Sequence, residues 1–459
     1  MSELLGIEWK GKLVDHGQVA SPAQVVGRRV YIETYGCQMN VSDTELMMGV
    51  LKRAGYQNAS EPELADVIVL NTCAIRDHAE ERVMGRLSQL SEIKQKRPDV
   101  IMGVSGCMAK HLAESLMADA PYVDMVVGPD SYRRLPELIA EATGDSAMDV
   151  RLDREEGYLG LDPLRQDAST AWITIMRGCD KFCTFCIVPY VRGRERSVSS
   201  AEILRQVQVA ALEGFHEVTL LGQTVNSYSD GKSDFSDLLD QVASVEGIQR
   251  IRFTSPHPSD FSDKLIDCMA RNEKICRFVH LPVQSGSDAV LSAMKRTYTV
   301  KEYTHLVEKL RGAMPGLCLS TDVIAGFPGE TEADFKATLS LMREVRYDSA
   351  FMFKYSERKG TVAFREMPDT VSEEEKTRRL DAIIALQNAT SYEINQAYIG
   401  RVEKVLIQGA ARKGQGKAIG KTNGFKNVVF QRENAKDNTF VDVVIKEATL
   451  RTLSGRIVG

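Results

Sequence analysis

The apolar positions of this chain change rhythm along its length, and each rhythm predicts a different kind of domain. Residues 1–27 show no period and read as an extended leader. From residue 28, short apolar runs alternate with helical repeats. VYIETYG (30–36), DVIVLNT (66–72), VIMGVSG (100–106) and DMVVG (124–128) read as strands, with helices over 41–55, up to Lys96, from about Lys110 and over 134–142. Strand runs separated by amphipathic helices predict βαβ units and a parallel sheet over 28–144. The polar stretch TGDSAMDVRLDREEGY marks a linker over about 143–165. The rhythm resumes on a larger scale over 165–395. AWITIM, EVTLLG, RIRFTS, RFVHLPV, LSTDVIAG and SAFMFKYS are six strand candidates, and a helical pattern follows each of the first five. Six units suit an open, partial (βα)6 barrel, whose reactive groups belong in loops at the carboxyl ends of its strands. Over 398–459 the pattern turns to β-branched runs (VEKVLIQ, NVVF, FVDVVIK) broken by KGQGK and KTNG, which predicts a small all-β barrel. The fold class is α/β with an all-β C-terminal module.

Composition narrows the function classes. A chain of 459 residues is too long for one core, which rarely grows past ~250–300 residues. With 43% hydrophobic and 26% charged residues it is neither disordered nor fibrous. No apolar run approaches the ~18 residues of a membrane span, and the N-terminus lacks the basic head and apolar core of a secretory signal. A cytoplasmic protein without membrane contact is expected. Thiols stay reduced there, so the nine cysteines are not a disulfide framework. The net charge of −5 hides an asymmetry. From Arg401 to Gly459 twelve Lys or Arg stand against five Asp or Glu, a surplus of +7 that leaves −12 on the rest. A basic tail on an acidic body suggests a local polyanion contact.

The strongest chemical signal is RGCDKFCTFCIVPYVRG, where Cys179, Cys183 and Cys186 are spaced C-x3-C-x2-C directly after the first strand of the middle block. Three thiolates on one loop can hold three irons of a 4Fe–4S cube and leave the fourth open to a small molecule. Zinc would want a fourth Cys or His nearby, and a redox pair Cys183/Cys186 would leave Cys179 unexplained. The loop resembles the signature of the radical S-adenosylmethionine superfamily. That resemblance implies that the amino and carboxylate groups of S-adenosylmethionine chelate the open iron, and that the reduced cluster cleaves the sulfonium to a 5′-deoxyadenosyl radical. Phe185 matches the superfamily position bordering the adenine, and packing of the loop is its alternative reading.

A second constellation is dispersed. Cys37 (TYGCQMN), Cys73 (NTCAIR) and Cys107 (SGCMAK) each follow one of the first three predicted strands. Ligands gather beyond the carboxyl ends of strands in an open parallel sheet, so the three thiols can converge. Taken singly, each reads as a buried core residue; together, as a second three-thiolate site. Cys268, Cys276 and Cys318 have no partner spacing and read as buried hydrophobes.

The two triads and the basic β tail resemble the methylthiotransferases of the same superfamily, through YGCQMNVSDTE, NTCAIRDHAEERV, GCMAK, LLGQTVNSY and YSERKGT. The resemblance runs from about residue 28 to the end. It implies a flavodoxin-like N-terminal domain with an auxiliary 4Fe–4S cluster on Cys37, Cys73 and Cys107, a radical barrel with a cluster on Cys179, Cys183 and Cys186, and a TRAM RNA-binding module. The CQMN string points to the branch that places a methylthio group on carbon 2 of N6-isopentenyladenosine in the anticodon stem-loop of tRNA, consuming two S-adenosylmethionine molecules. The branches acting on an aspartate of ribosomal protein S12 or on threonylcarbamoyladenosine are the alternatives. An RNA-binding iron–sulfur protein without catalysis is a reading from another class. A flavodoxin or ferredoxin is the implied electron donor, and no sulfur donor is named.

Other residues are candidates by position. Gln223, Asn226, Gln284, Ser285 and Asp322 follow barrel strands and read as cofactor contacts or as loop caps. Arg192, Arg194 and Arg196 beyond the cysteine loop, and Arg412, Lys413, Lys417 and Lys421 in the tail, read as phosphate contacts on RNA or as a solvated face.

Overall fold

The structure, a computed structural model, describes residues 27–73, 77–165 and 169–458. The leader predicted over 1–27 lies almost wholly outside them. Packing divides the chain into two units. One comprises the chain up to Gln166 with Arg177–Asp180 and Ile187–Val198; the other comprises Asp167–Met176, Lys181–Cys186 and Ser199–Gly459.

In the first unit six parallel strands are ordered Gln57–Asn58, Arg29–Thr34, Val67–Thr72, Ile101–Gly106, Met125–Val127, Ala147–Asp149. This is the flavodoxin-like order, which reverses direction between Arg29–Thr34 and Val67–Thr72. Strands Val67–Thr72 and Ile101–Gly106 are buried throughout. Alternate residues feed two cores, as the two-residue period of a strand requires. Val30, Ile32, Val67 and Val69 face Leu46, Met47, Leu51, Leu135 and Leu138. Tyr31, Ile68 and Leu70 face Val83, Leu87 and Leu90. The predicted linker is corrected in part: Ala147–Asp149 is the sixth strand, and Tyr158 and Leu161 join the core. Three residues among polar neighbours carry too short an apolar pattern to stand out.

In the second unit the six strands expected of the barrel are Ala171–Thr174, Glu217–Leu221, Arg250–Phe253, Phe278–His280, Cys318–Ala325 and Ser349–Lys354. They pair as two parallel three-stranded arcs, linked by the bridge Ile251↔Ile275. Among the described residues no pairing joins Ala171–Thr174 to Ser349–Lys354, so the barrel is open. The tail is a closed five-stranded barrel. Two of its strands, Lys417–Thr422 and Leu453–Ile457, were not among the predicted runs. It docks at the amino ends of the (βα)6 strands. Arg250 donates to the carbonyls of Lys421 (2.9 Å) and Lys404 (2.6 Å), and Arg252 to those of Asn423 (3.0 Å) and Thr422 (2.7 Å). Glu217 neutralises Arg252 at 3.0 Å. Among the described residues no helix is long and apolar enough to cross a membrane.

Candidate active site

The dispersed cysteines do converge. Cys37 caps the start of helix Gln38–Arg53, Cys73 follows strand Val67–Thr72, and Cys107 opens helix Cys107–Asp119. The first two flank the point where the sheet order reverses. Glycines make the approach possible. A Cβ on Gly36 would lie 2.7 Å from that of Cys73, and one on Gly106 would lie 2.4 Å from the Thr72 carbonyl oxygen. Asn40 and Asn71 lace the helix to the strand: Asn40 Nδ2 donates to the Thr72 carbonyl (3.1 Å), and Asn71 Nδ2 donates to the Asn40 carbonyl (2.8 Å) and to Thr44 Oγ1 (2.9 Å).

The electrostatics favour thiolate at Cys37. A hydrogen bond with Cys73 and the positive charge of Arg192 draw the Cys37 thiol down to about 6 despite its burial. Burial holds the Cys107 thiol above its usual range, and Arg192 opposes that shift. The positive ends of two helices add to the field. Behind the thiols lies a buried ionic knot. Arg192 Nε donates to Cys107 Sγ at 3.1 Å, and its Nη2 donates to Asp43 at 2.8 Å. Arg177 Nη2 meets the other Asp43 oxygen at 2.8 Å, and the Arg177 guanidinium lies 4.8 Å over the Tyr158 ring. Nη1 of Arg192 and Nη1 of Arg177 are buried without a hydrogen-bond partner.

These residues fit an iron–sulfur cluster. The donors are all thiols, a glycine-lined cradle surrounds them, and buried donors are left unsatisfied beside them. Among the described residues no three Cys, His, Asp or Glu side chains stand close enough to share one ion. A cluster spreads its thiolates over separate irons, which sit wider apart.

Around the cysteine loop, the Cys179 amide donates to the Gly193 carbonyl at 3.1 Å within the first unit. In the second unit the Cys186 amide donates to the Cys183 carbonyl at 3.0 Å. Arg296 Nη1 donates to Cys183 Sγ at 3.4 Å, and the guanidinium is held by Tyr298 Oη at 2.9 Å and the Pro282 carbonyl at 3.0 Å. Phe185 stands edge-on to Phe327, with ring centroids 6.4 Å apart. Gln284 sits at φ 70°, and its amide donates to the Asp322 carbonyl at 2.8 Å. The Asp322 carboxylate lies 3.4 Å from His280 Nε2. Asn226 and Ser285 make hydrogen bonds within the loops. Asn226 exchanges two hydrogen bonds with the His257 backbone, at 2.9 and 2.7 Å. Ser285 is buried and accepts from the Ser287 amide. Gln223 Oε1 and His257 Nε2 are buried without a partner, and a polar cofactor at the strand ends would satisfy both.

The basic residues separate into two groups. The phosphate reading of Arg192 and Arg196 is corrected. Arg192 is 3% exposed within the ionic knot, and Arg196 forks onto buried Asp130 at 2.9 and 2.8 Å. Buried carboxylates, which local sequence did not reveal, claim both guanidiniums. Arg194 pairs with Asp180 at the surface. Lys421 is drawn inward over the Phe425 ring at 3.8 Å; desolvation and neighbouring Arg252 lower its pKa to about 7. Arg412, Lys413 and Lys417 are exposed on the turn between strands Val402–Ala410 and Lys417–Thr422. The residues sequence reasoning missed are Asn40, Asp43, Asn71, Arg177, His257 and Arg296. Asn40, Asp43, Asn71 and Arg177 lie within the strings that carry the cysteines, but as types that do not ligate iron through sulfur they drew no attention beside the thiols, and His257 and Arg296 lie in no motif.

Comparison with known proteins extends these findings. Residues 29–128 match the family described as "Uncharacterized protein family UPF0004", and residues 173–342 match the Radical SAM superfamily. The chain is 46% identical over 430 residues to the tRNA-2-methylthio-N(6)-dimethylallyladenosine synthase of Chloroherpeton thalassium, covering 93% of this chain and 95% of that protein. It is 47% identical to the protein of the same name from Chlorobium luteolum, covering 94% and 97%. Among solved structures it resembles the radical S-adenosylmethionine methyltransferase TsrM from Kitasatospora setae, described with cobalamin and a [4Fe-4S] cluster bound. That match has a TM-score of 0.54 and 15% identity, and covers 86% of this chain and 81% of that one, a likeness of fold alone.

Proposed function

The chain belongs to the family of tRNA-2-methylthio-N(6)-dimethylallyladenosine synthases, and on that footing we propose that its two cysteine triads hold the two iron–sulfur clusters of the reaction. It is a radical S-adenosylmethionine enzyme that installs a methylthio group on carbon 2 of a tRNA adenosine carrying the N6-dimethylallyl (isopentenyl) group. Its cofactors are 4Fe–4S clusters and S-adenosylmethionine. The readings as an S12-directed enzyme, a threonylcarbamoyladenosine enzyme and a non-catalytic carrier are not favoured. The observation that supports the auxiliary assignment most is the meeting of Cys37, Cys73 and Cys107 at the carboxyl ends of three adjacent parallel strands.

Carbon 2 bears an unactivated aromatic hydrogen, so the chemistry that acid–base residues cannot supply comes from the clusters and S-adenosylmethionine when bound. The protein's own residues bind and orient. Cys179, Cys183 and Cys186 hold one cluster, and Cys37, Cys73 and Cys107 the other. Gln223, Gln284, Asp322 and Phe185 line the cofactor side of the barrel, with Gln223 Oε1 and His257 Nε2 as its open polar positions. Asn226 and Ser285 keep those loops in place. The substrate is an anticodon stem-loop whose modified adenosine leaves its stack to expose carbon 2. Arg412, Lys413 and Lys417 contact its phosphates. Electrons arrive from a flavodoxin or ferredoxin in the cytoplasm.

The test is an anaerobic assay of the reconstituted protein on anticodon stem-loops with and without the isopentenyl group, with nucleosides read by mass spectrometry. A mass gain of one methylthio group on the isopentenylated substrate is expected. Turnover of the unmodified stem-loop at the same rate would overturn the substrate assignment.

A further inference from the structure

We propose that Arg192 is a positioning residue for the auxiliary cluster: clamped by Asp43, its guanidinium delivers an N–H hydrogen bond to the Cys107 sulfur that raises the reduction potential of the cluster held there. This rests on the reading that Cys37, Cys73 and Cys107 carry that cluster.

The geometry is specific. The Nε and Nη2 edge of the guanidinium spans two acceptors, Cys107 Sγ at 3.1 Å and Asp43 Oδ2 at 2.8 Å. A planar fork fixes both contacts in one rigid plane, whereas an ammonium on a flexible stem would hold them less firmly. Arg192 cannot swing away, because Ile187 and Val191 of its own segment pack against Cys107. Asp43 is in turn ion-paired through its other oxygen with Arg177 Nη2 at 2.8 Å, and Tyr132 Oη donates to Oδ2 at 3.4 Å. Two guanidiniums on one carboxylate leave a surplus positive charge in a place where Arg192 is 3%, Arg177 4% and Asp43 0% exposed. A buried cation without a full counter-charge is costly, and an anionic cluster beside it offsets that cost. The unsatisfied Nη1 group of Arg192, beside Cys107, is a further donor in want of an acceptor there.

Donors to ligand sulfur and nearby positive charge stabilise the reduced, more negative state of a cluster, so they raise its potential. Arg192 follows Cys186 by six residues, so the chain that forms the radical loop also supplies this donor to the N-terminal site.

The experiment uses the full chain with Cys179, Cys183 and Cys186 replaced by Ala, reconstituted anaerobically. This parent should hold about four irons, all at the N-terminal site. Arg192→Gln and Arg192→Lys are compared with it by iron content, electron paramagnetic resonance and potentiometric titration. The expected result is a midpoint shifted to more negative potential in Arg192→Gln, with an altered resonance spectrum at equal iron, and a smaller shift in Arg192→Lys. Loss of iron in Arg192→Gln alone also supports the proposal, since a cation at Cys107 is then needed to keep the cluster. An unchanged midpoint and spectrum at equal iron overturns it, as does loss of iron in both variants with loss of helical circular dichroism. A parent that binds no iron defeats the cluster assignment itself.

Discussion

Cys179, Cys183 and Cys186 lie within eight residues of one another, whereas Cys37, Cys73 and Cys107 stand 36 and 34 residues apart and meet because three parallel strands end side by side. One triad depends on chain spacing, the other on sheet register. Their guanidinium partners differ in kind as well. Arg296, on Cys183, is held by a phenol and a carbonyl, both neutral. Arg192, on Cys107, is held by a carboxylate that a second arginine also grips. A site assembled across a sheet needs a rigid ionic frame to keep its ligands aligned; a local loop needs only a neutral clamp.

The comparison breaks most visibly if the triads are not independent. Cys183→Ala should lose about half of roughly eight irons and abolish release of 5′-deoxyadenosine. Cys73→Ala should lose the other half, keep cleavage of S-adenosylmethionine and make no methylthio product. Iron analysis and chromatography of both variants decide this, and complete iron loss from either would merge the sites. The frames themselves differ in cost. Asp43→Asn leaves two buried guanidiniums poorly paired and should destabilise the first unit by about 3–5 kcal/mol in urea titration. Tyr298→Phe removes one hydrogen bond from Arg296 and should cost about 1 kcal/mol.

The barrel side should respond to acid through His257. Burial, with help from the Arg296 and Lys181 charges, pushes the His257 pKa down to about 2, so the folded protein keeps this imidazole neutral. The unfolded chain takes up the proton below about pH 6.5, so stability falls with falling pH by up to about 1.4 kcal/mol per unit. Urea titrations at pH 5 and 7 should show this loss in the parent, and a smaller one in His257→Asn. The smallest effect concerns the tail. Replacing Arg412, Lys413 and Lys417 by Ala should weaken stem-loop binding several-fold and flatten its salt dependence by up to about 0.7 per lost phosphate contact. Cleavage of S-adenosylmethionine should be unchanged. An identical effect from Arg196→Ala on binding would contradict its internal role with Asp130.

Long apolar segments were legible as runs, most clearly where burial on both faces makes them continuous, as in Val67–Thr72 and Glu217–Leu221. All six barrel strands and four of the six N-terminal strands could be read in this way. Gln57–Asn58 and Ala147–Asp149 could not, since two or three residues carry no period. The helix carrying Asp43 was legible as an element, but the burial of its Ser42, Asp43, Thr44 and Glu45 was not, since polarity there marks an internal frame and not a surface.

By itself the sequence determined the three-part order of folds, the local cysteine loop and the branch of chemistry, because each depends on residues near one another in the chain. Tertiary structure alone decided that Arg192 and Arg196 turn inward while Arg412 and Lys413 stay in solvent. A guanidinium looks the same in either setting until the fold brings a buried carboxylate within hydrogen-bonding reach.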